Sequence, residues 1–149
     1  MTGILEYFDN TIARDVLYTL IKGDLLGTGV ARQVYRCAFD SSLVVKIETT
    51  SRSFQNVLEW EAWDAVRLTK YKDWFAPCVS ISPCGTVLLQ KYTRDLEPDE
   101  VPKDVPNFFC DLKVDNWGFY EGRPVCRDYG RTLLMDKGLS SKMKKADFW

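Results

Sequence analysis

Between Phe108 and Gly130 the chain reads FFCDLKVDNWGFYEGRPVCRDYG. Asp111, Lys113, Asn116 and Asp128 fall there within about one strand–loop–strand unit. Asp115-Asn116-Trp117-Gly118 and Glu121-Gly122 are turn signals, and a hairpin with solvated charges accounts for them. Packing does not account for where the acids and the lysine fall. Two carboxylates, an amide and an ammonium have the character needed to hold magnesium and a phosphate chain.

What surrounds this stretch limits the chemistry. The chain has 149 residues, enough for one domain with a real core. Its apolar fraction of 46% and charged fraction of 28% are globular values. It contains no histidine, so proton abstraction falls to Asp, Glu, Lys or Tyr, and a histidine-activated serine or cysteine is excluded. The five cysteines include no C-x-x-C pair, which argues for reduced thiols in a cytoplasmic setting and against a zinc site or disulfide frame. Net charge is −1, and the basic tail around Lys142, Lys144 and Lys145 is short. No nucleic-acid partner is expected, and the tail reads as a solvated face. No apolar run is long enough for a membrane span, and the first residues lack the basic region of a signal peptide.

Apolar spacing over residues 4–22 predicts a helix ending before Gly23. LLGTGVARQVYRCAFD then predicts strand, turn and strand, and SSLVVKIET a third strand after an Asp40-Ser41-Ser42 turn. A helix is expected over 53–69 with Ser53 as N-cap. Two strands follow around Pro83-Cys84-Gly85, and then a proline-containing loop over 93–107. The tail 136–149 is polar and basic with an aromatic end.

Two upstream elements bear on the opening one. Gly27 and Gly29 can let the backbone approach phosphates, although a tight turn explains them alone. Lys46, inside Val44-Val45-Lys46-Ile47, places an ammonium on one sheet face, or guards a sheet edge. Its expected partner is Glu59, which borders the apolar stripe of the predicted helix; Glu61 lies about 200° further round and reads as solvated.

Taken in order, these elements resemble the eukaryotic-like protein kinase superfamily and its aminoglycoside phosphotransferase-type relatives. Gly27, Gly29 and Val34 match the glycine loop, with Arg32 in place of its third glycine. Val44-Val45-Lys46 matches the strand lysine motif, with valine for alanine. Asp111-Leu112-Lys113-Val114-Asp115-Asn116 matches the catalytic loop D-L-K-x-x-N, but Phe109-Cys110 replaces the preceding His-Arg. Asp128-Tyr129-Gly130 stands for D-F-G. The resemblance covers roughly residues 24–131.

It implies an α+β fold: a kinase-like N-lobe of antiparallel sheet plus one helix, and a much reduced C-lobe carrying the catalytic loop and D-Y-G strand. Residues 1–149 would form a single minimal domain, with 1–92 as N-lobe and hinge and 93–149 as the reduced C-lobe. The implied cofactors are ATP and Mg²⁺. Gly27, Gly29 and Val34 would cover the nucleotide, Lys46 held by Glu59 would bind its α/β-phosphates, and Gln90 and Tyr92 would meet the adenine. Asn116 and Asp128 would hold the metal. Asp111 would take the proton of an attacking hydroxyl, and Lys113 would steady the γ-phosphate.

Fewer than twenty residues separate Tyr92 from Asp111, where the family has two helices, and 19 follow Gly130. Such truncated chains look most like proteins of bacteriophages or bacteria. A lobe without its helices would leave apolar surface for a homodimer or protein partner. Two activities follow: phosphotransfer to a hydroxyl of a protein or small molecule, or a pseudokinase-like module that modulates a partner.

Overall fold

The computed structural model describes residues 18–50 and 53–149. The helix expected over 4–22 lies outside the described residues as far as residue 17; residues 18–21 are helical.

Among the described residues, five strands build one antiparallel sheet in the order β1-β2-β3-β5-β4. They are β1 (Lys22–Thr28), β2 (Arg32–Cys37), β3 (Leu43–Glu48), β4 (Cys78–Ile81) and β5 (Val87–Lys91). The β2–β3 turn forms because Asp40 Oδ1 accepts from the Ser42 N–H (3.0 Å) and hydroxyl (2.7 Å). β3 lies between β2 and β5, and its Leu43–Ile47 run is buried throughout, as its branched side chains favour. In the β4–β5 hairpin Gly85 has φ 75°, and a Cβ there would also meet Val57 Cγ2 at 2.6 Å.

Helix α1 (Gln55–Val66) joins β3 to β4 and is shorter than the expected 53–69. The N-cap expectation for Ser53 is overturned. Phe54 holds the cap position in left-handed backbone with no side-chain cap bond, and Ser53 Oγ has no partner among the described residues. The Asn56 N–H is instead capped by Glu48 Oε1 of β3, at 2.9 Å. A first-turn amide satisfied by another element leaves no local signal.

The remaining chain forms two small ribbons. β7 (Trp117–Tyr120) and β8 (Arg123–Cys126) pair across Glu121 (φ 48°) and Gly122 (φ 83°), the two left-handed residues of a tight hairpin turn. β6 (Asp104–Pro106) pairs with β9 (Met143–Lys145), preceded by a short helix, α2 (Leu134–Lys137). So the expected 93–107 loop contains a strand and the basic tail supplies its partner. Each is too short to show a period of its own.

One buried cluster ties these parts together. Phe75, Phe108, Phe109, Trp117 and Tyr129 pack with Val66 of α1, Cys78 of β4 and Leu88 of β5. Phe75 meets Tyr129 edge-on at 4.9 Å, and Phe109 meets Trp117 at 5.0 Å, arrangements aromatic quadrupoles favour. The fold class is α+β with few helices.

Candidate functional site

Lys46 sits in mid-β3, opposite Val34 of β2 and Leu88 of β5. Its side chain is buried, so its ammonium requires a partner. Glu59, fully buried on α1, supplies it: Lys46 Nζ lies 3.1 Å from each carboxylate oxygen. Glu61 is exposed. Lys46 also donates to the Arg127 carbonyl. Glu59 Oε1 accepts from the Tyr129 N–H at 2.8 Å, so one carboxylate fixes both the strand lysine and the Asp128-Tyr129-Gly130 segment.

Arg32, at the start of β2, completes this cluster. Its Nη1 donates to Glu59 Oε2 (2.5 Å) and Asn56 Oδ1 (3.0 Å), and its Nη2 to Asp128 Oδ1 (2.9 Å). Asn56 is oriented by its own bonds to the carbonyls of Lys46 (3.1 Å) and Thr86 (2.9 Å). Two cations thus meet two anions, which keeps the buried charges paired. Burial opposes ionisation of Glu59, but Arg32 and Lys46 outweigh it and hold the carboxyl below its usual value. For Lys46 burial prevails and lowers its pKa against the pull of Glu59. For Arg32 burial is outweighed by Glu59 and Asp128, and its pKa is raised.

A cleft of about 500 Å³ opens over this cluster. Gly27, Gly29 and Val34 line it from the β1–β2 end, with Lys46 on β3. Gln90 and Tyr92 line it where the chain leaves β5, and Lys113, Asn116 and Asp128 contribute from the later segment. Gln90 is buried, and its amide donates to Cys78 Sγ at 3.8 Å. Tyr92 gives its N–H to the Ser42 carbonyl (2.8 Å), and its ring lies under the Arg36 guanidinium at 3.5 Å. Asp111 differs from these residues. It is exposed and is not among the lining residues, although its carbonyl accepts from Asn116 Nδ2 at 3.3 Å.

The C-terminal residues reach this region too. Trp149 exchanges backbone bonds of 3.0 Å with Leu112 and Val114, and Lys113 Nζ lies 5.7 Å from its ring centroid. Arg127 hooks the later segment to the chain beyond β5, donating to Asp95 Oδ1 (2.7 Å), Asp115 O (3.0 Å) and Thr93 O (3.2 Å). No sequence motif marks Arg127 or Asn56 for this site. Arg32 was visible only as a cation where the resembling motif has glycine.

The donor set suits a hard cation. Asn116 and Asp128 offer oxygens, the Asp128 N–H is bonded to Asn116 O at 3.2 Å, and the Asp128 side chain is 48% exposed. Among the described residues no group of three or more His, Cys, Asp or Glu is placed to hold a metal alone. A divalent cation held by so few protein oxygens would have to keep waters and share phosphate oxygens, as magnesium does. No helix among the described residues is long and apolar enough to cross a membrane. No protein-family model and no curated relative matches this chain.

Proposed function

We propose that the cleft binds Mg·ATP and that the protein transfers the γ-phosphate to a hydroxyl of a protein or small molecule. The observation that carries this reading is the convergence of Gly27, Gly29, Lys46, Lys113, Asn116 and Asp128 on one cleft, with Lys46 held by buried Glu59. The strand order β1-β2-β3-β5-β4, with α1 between β3 and β4, supports reading 22–92 as a kinase-like N-lobe and 93–149 as a reduced C-lobe. In this reading the backbone at Gly27 and Gly29 lies against phosphates, and Lys46 binds them in a pose fixed by Glu59. Asn116 and Asp128 hold magnesium, which would supply positive charge to the polyphosphate when bound. Asp111 takes the acceptor's proton and Lys113 steadies the transferred group.

Thermal shift with ATP and Mg²⁺ tests nucleotide binding. A ligand at 100 times its dissociation constant stabilises the native state by about 2.7 kcal/mol, a shift expected to vanish in Lys46→Ala and Asp128→Ala. Labelled ATP then tests transfer to the protein itself or to lysate components, with Asp111→Asn as control. Absence of any shift at millimolar Mg·ATP counts against the reading.

Two observations favour a second reading, a catalytically weak module that binds nucleotide and modulates a partner protein. Asp128 is engaged by Arg32, and Asp111 does not line the cleft. A thermal shift without phosphate transfer selects it.

A further inference from the structure

The two arms of the Arg32 guanidinium face different surroundings. The Nη1 arm is bound to Glu59 and Asn56, both fully buried. The Nη2 arm holds Asp128, whose side chain is 48% exposed on the cleft. One arm is therefore an anchor and the other can exchange partners with whatever enters. Arg32 also closes the glycine turn, because its carbonyl accepts the Gly29 N–H at 2.8 Å. The residue that shapes the turn thus sets a cation on the carboxylate across the cleft.

The charges decide when that cation can leave. Arg32, Lys46, Glu59 and Asp128 balance to zero. A divalent cation arriving alone would displace a seated guanidinium and leave two uncompensated positive charges in a largely buried cluster. Arriving with a polyphosphate, it brings the anion that the released arm can bind. Guanidinium suits phosphate oxygens as well as carboxylate.

Resting on the Mg·ATP reading above, we propose that Arg32 is a positioning residue that makes divalent-cation binding at Asp128 conditional on polyphosphate. Without nucleotide, its Nη2 arm occupies the carboxylate. With nucleotide, that arm turns to a phosphate oxygen and Asp128 is freed for the metal.

Mn²⁺ is the probe, its free concentration read by electron paramagnetic resonance in the absence of nucleotide. Arg32→Lys keeps a cation for Glu59 and cannot fork to Asp128; Arg32→Gln removes the charge, and circular dichroism checks that each variant folds. Wild type is expected to bind Mn²⁺ weakly. Arg32→Gln, which vacates the carboxylate and removes a positive charge, should bind it about tenfold more tightly, within the usual range of coupling between sites. Arg32→Lys, which vacates it at unchanged charge, should gain by a smaller factor. Adding Asp128→Asn to Arg32→Gln should abolish the gain. A merely structural role for Arg32 predicts loss of metal affinity, never gain. If folded Arg32→Gln binds Mn²⁺ no better than wild type, or the gain survives Asp128→Asn, the proposal is wrong. Thermal shift of the wild type with ATP and Mg²⁺ reads the nucleotide assignment separately, so failure of that reading is distinguishable from failure of this one.

Discussion

Arg32 Nη2 lies 2.9 Å from Asp128 Oδ1 across 96 positions of chain. The contact joins the start of β2 to the segment after β8, and through Glu59 it joins both to α1 and β3. The charged floor of the cleft is thus one network. Changes to any member should be felt by the others, and their effects should not add.

Glu59→Gln leaves Lys46 and Arg32 buried beside a neutral amide. Loss of one partner from a buried ion pair costs about 3–5 kcal/mol. Exposed Glu61, two residues on, should change stability by less than about 0.5 kcal/mol when replaced by Gln. Urea unfolding at pH 7 compares the two variants. Equal small effects would mean that Glu59 carries no such charge balance.

Acid should destabilise the protein through the same carboxyl. Glu59 is held below its ordinary pKa of 4.5, so its contribution is fully present above that value and is lost as pH falls through the lower folded-state value. Glu100, brought to about 2 by its hydrogen bonds from the Arg94 side chain and the Glu97 N–H, acts in the same direction. The urea midpoint should stay level from neutral pH to about 4.5 and then drop. In 1 M salt the exposed Arg94–Glu100 pair is screened, while the limb due to buried Glu59 should persist.

Cys84 should be the most readily alkylated thiol at neutral pH. It is exposed in the β4–β5 turn, and hydrogen bonds from the Thr86 and then the Ser82 side chain lower its pKa to about 7. Burial pushes Cys78 up to about 11 and Cys126 well above its ordinary value, which should protect both. Iodoacetamide labelling with peptide mapping should show half-maximal Cys84 reactivity near pH 7. Thr86→Val should move that midpoint towards 9.0.

Two glycines should respond oppositely to alanine. A Cβ on Gly27 meets nothing within 4 Å, so Gly27→Ala should leave stability unchanged or raise it by about 0.4–1 kcal/mol. A Cβ on Gly118 would collide with Thr93 Oγ1 and come within 2.9 Å of the Arg94 carbonyl. Gly118→Ala should cost about 1–3 kcal/mol, read as a lower melting temperature. If Gly27→Ala weakens the ATP-induced shift without lowering the basal melting temperature, the Gly27 backbone contacts nucleotide.

Short-range pattern carried much of the fold. The alternation and turn residues of 24–48 and 76–91 led to strands close to those observed, because these strands follow one another through tight turns. The Glu121-Gly122 turn was legible for the same reason. The pairing of β6 with β9 was not legible, since each strand has three residues and its partner lies far along the chain. Ser53 misled because the helix start takes its cap from Glu48.

Residue type and spacing singled out Lys46, Glu59, Asp111, Lys113, Asn116 and Asp128, since a charge inside a strand or on an apolar helix border, or a cluster of acids, amide and lysine beside a turn, needs a reason there; Gly27 and Gly29 joined them only through the resemblance. The tertiary structure decided who partners whom. It set Arg32 on both Glu59 and Asp128, drew Trp149 to Lys113, and left the Asp111 side chain exposed and out of the cleft lining. A periodic pattern records which face of an element avoids water. It does not record which buried cation meets which anion, because that depends on the packing of elements brought together only by folding.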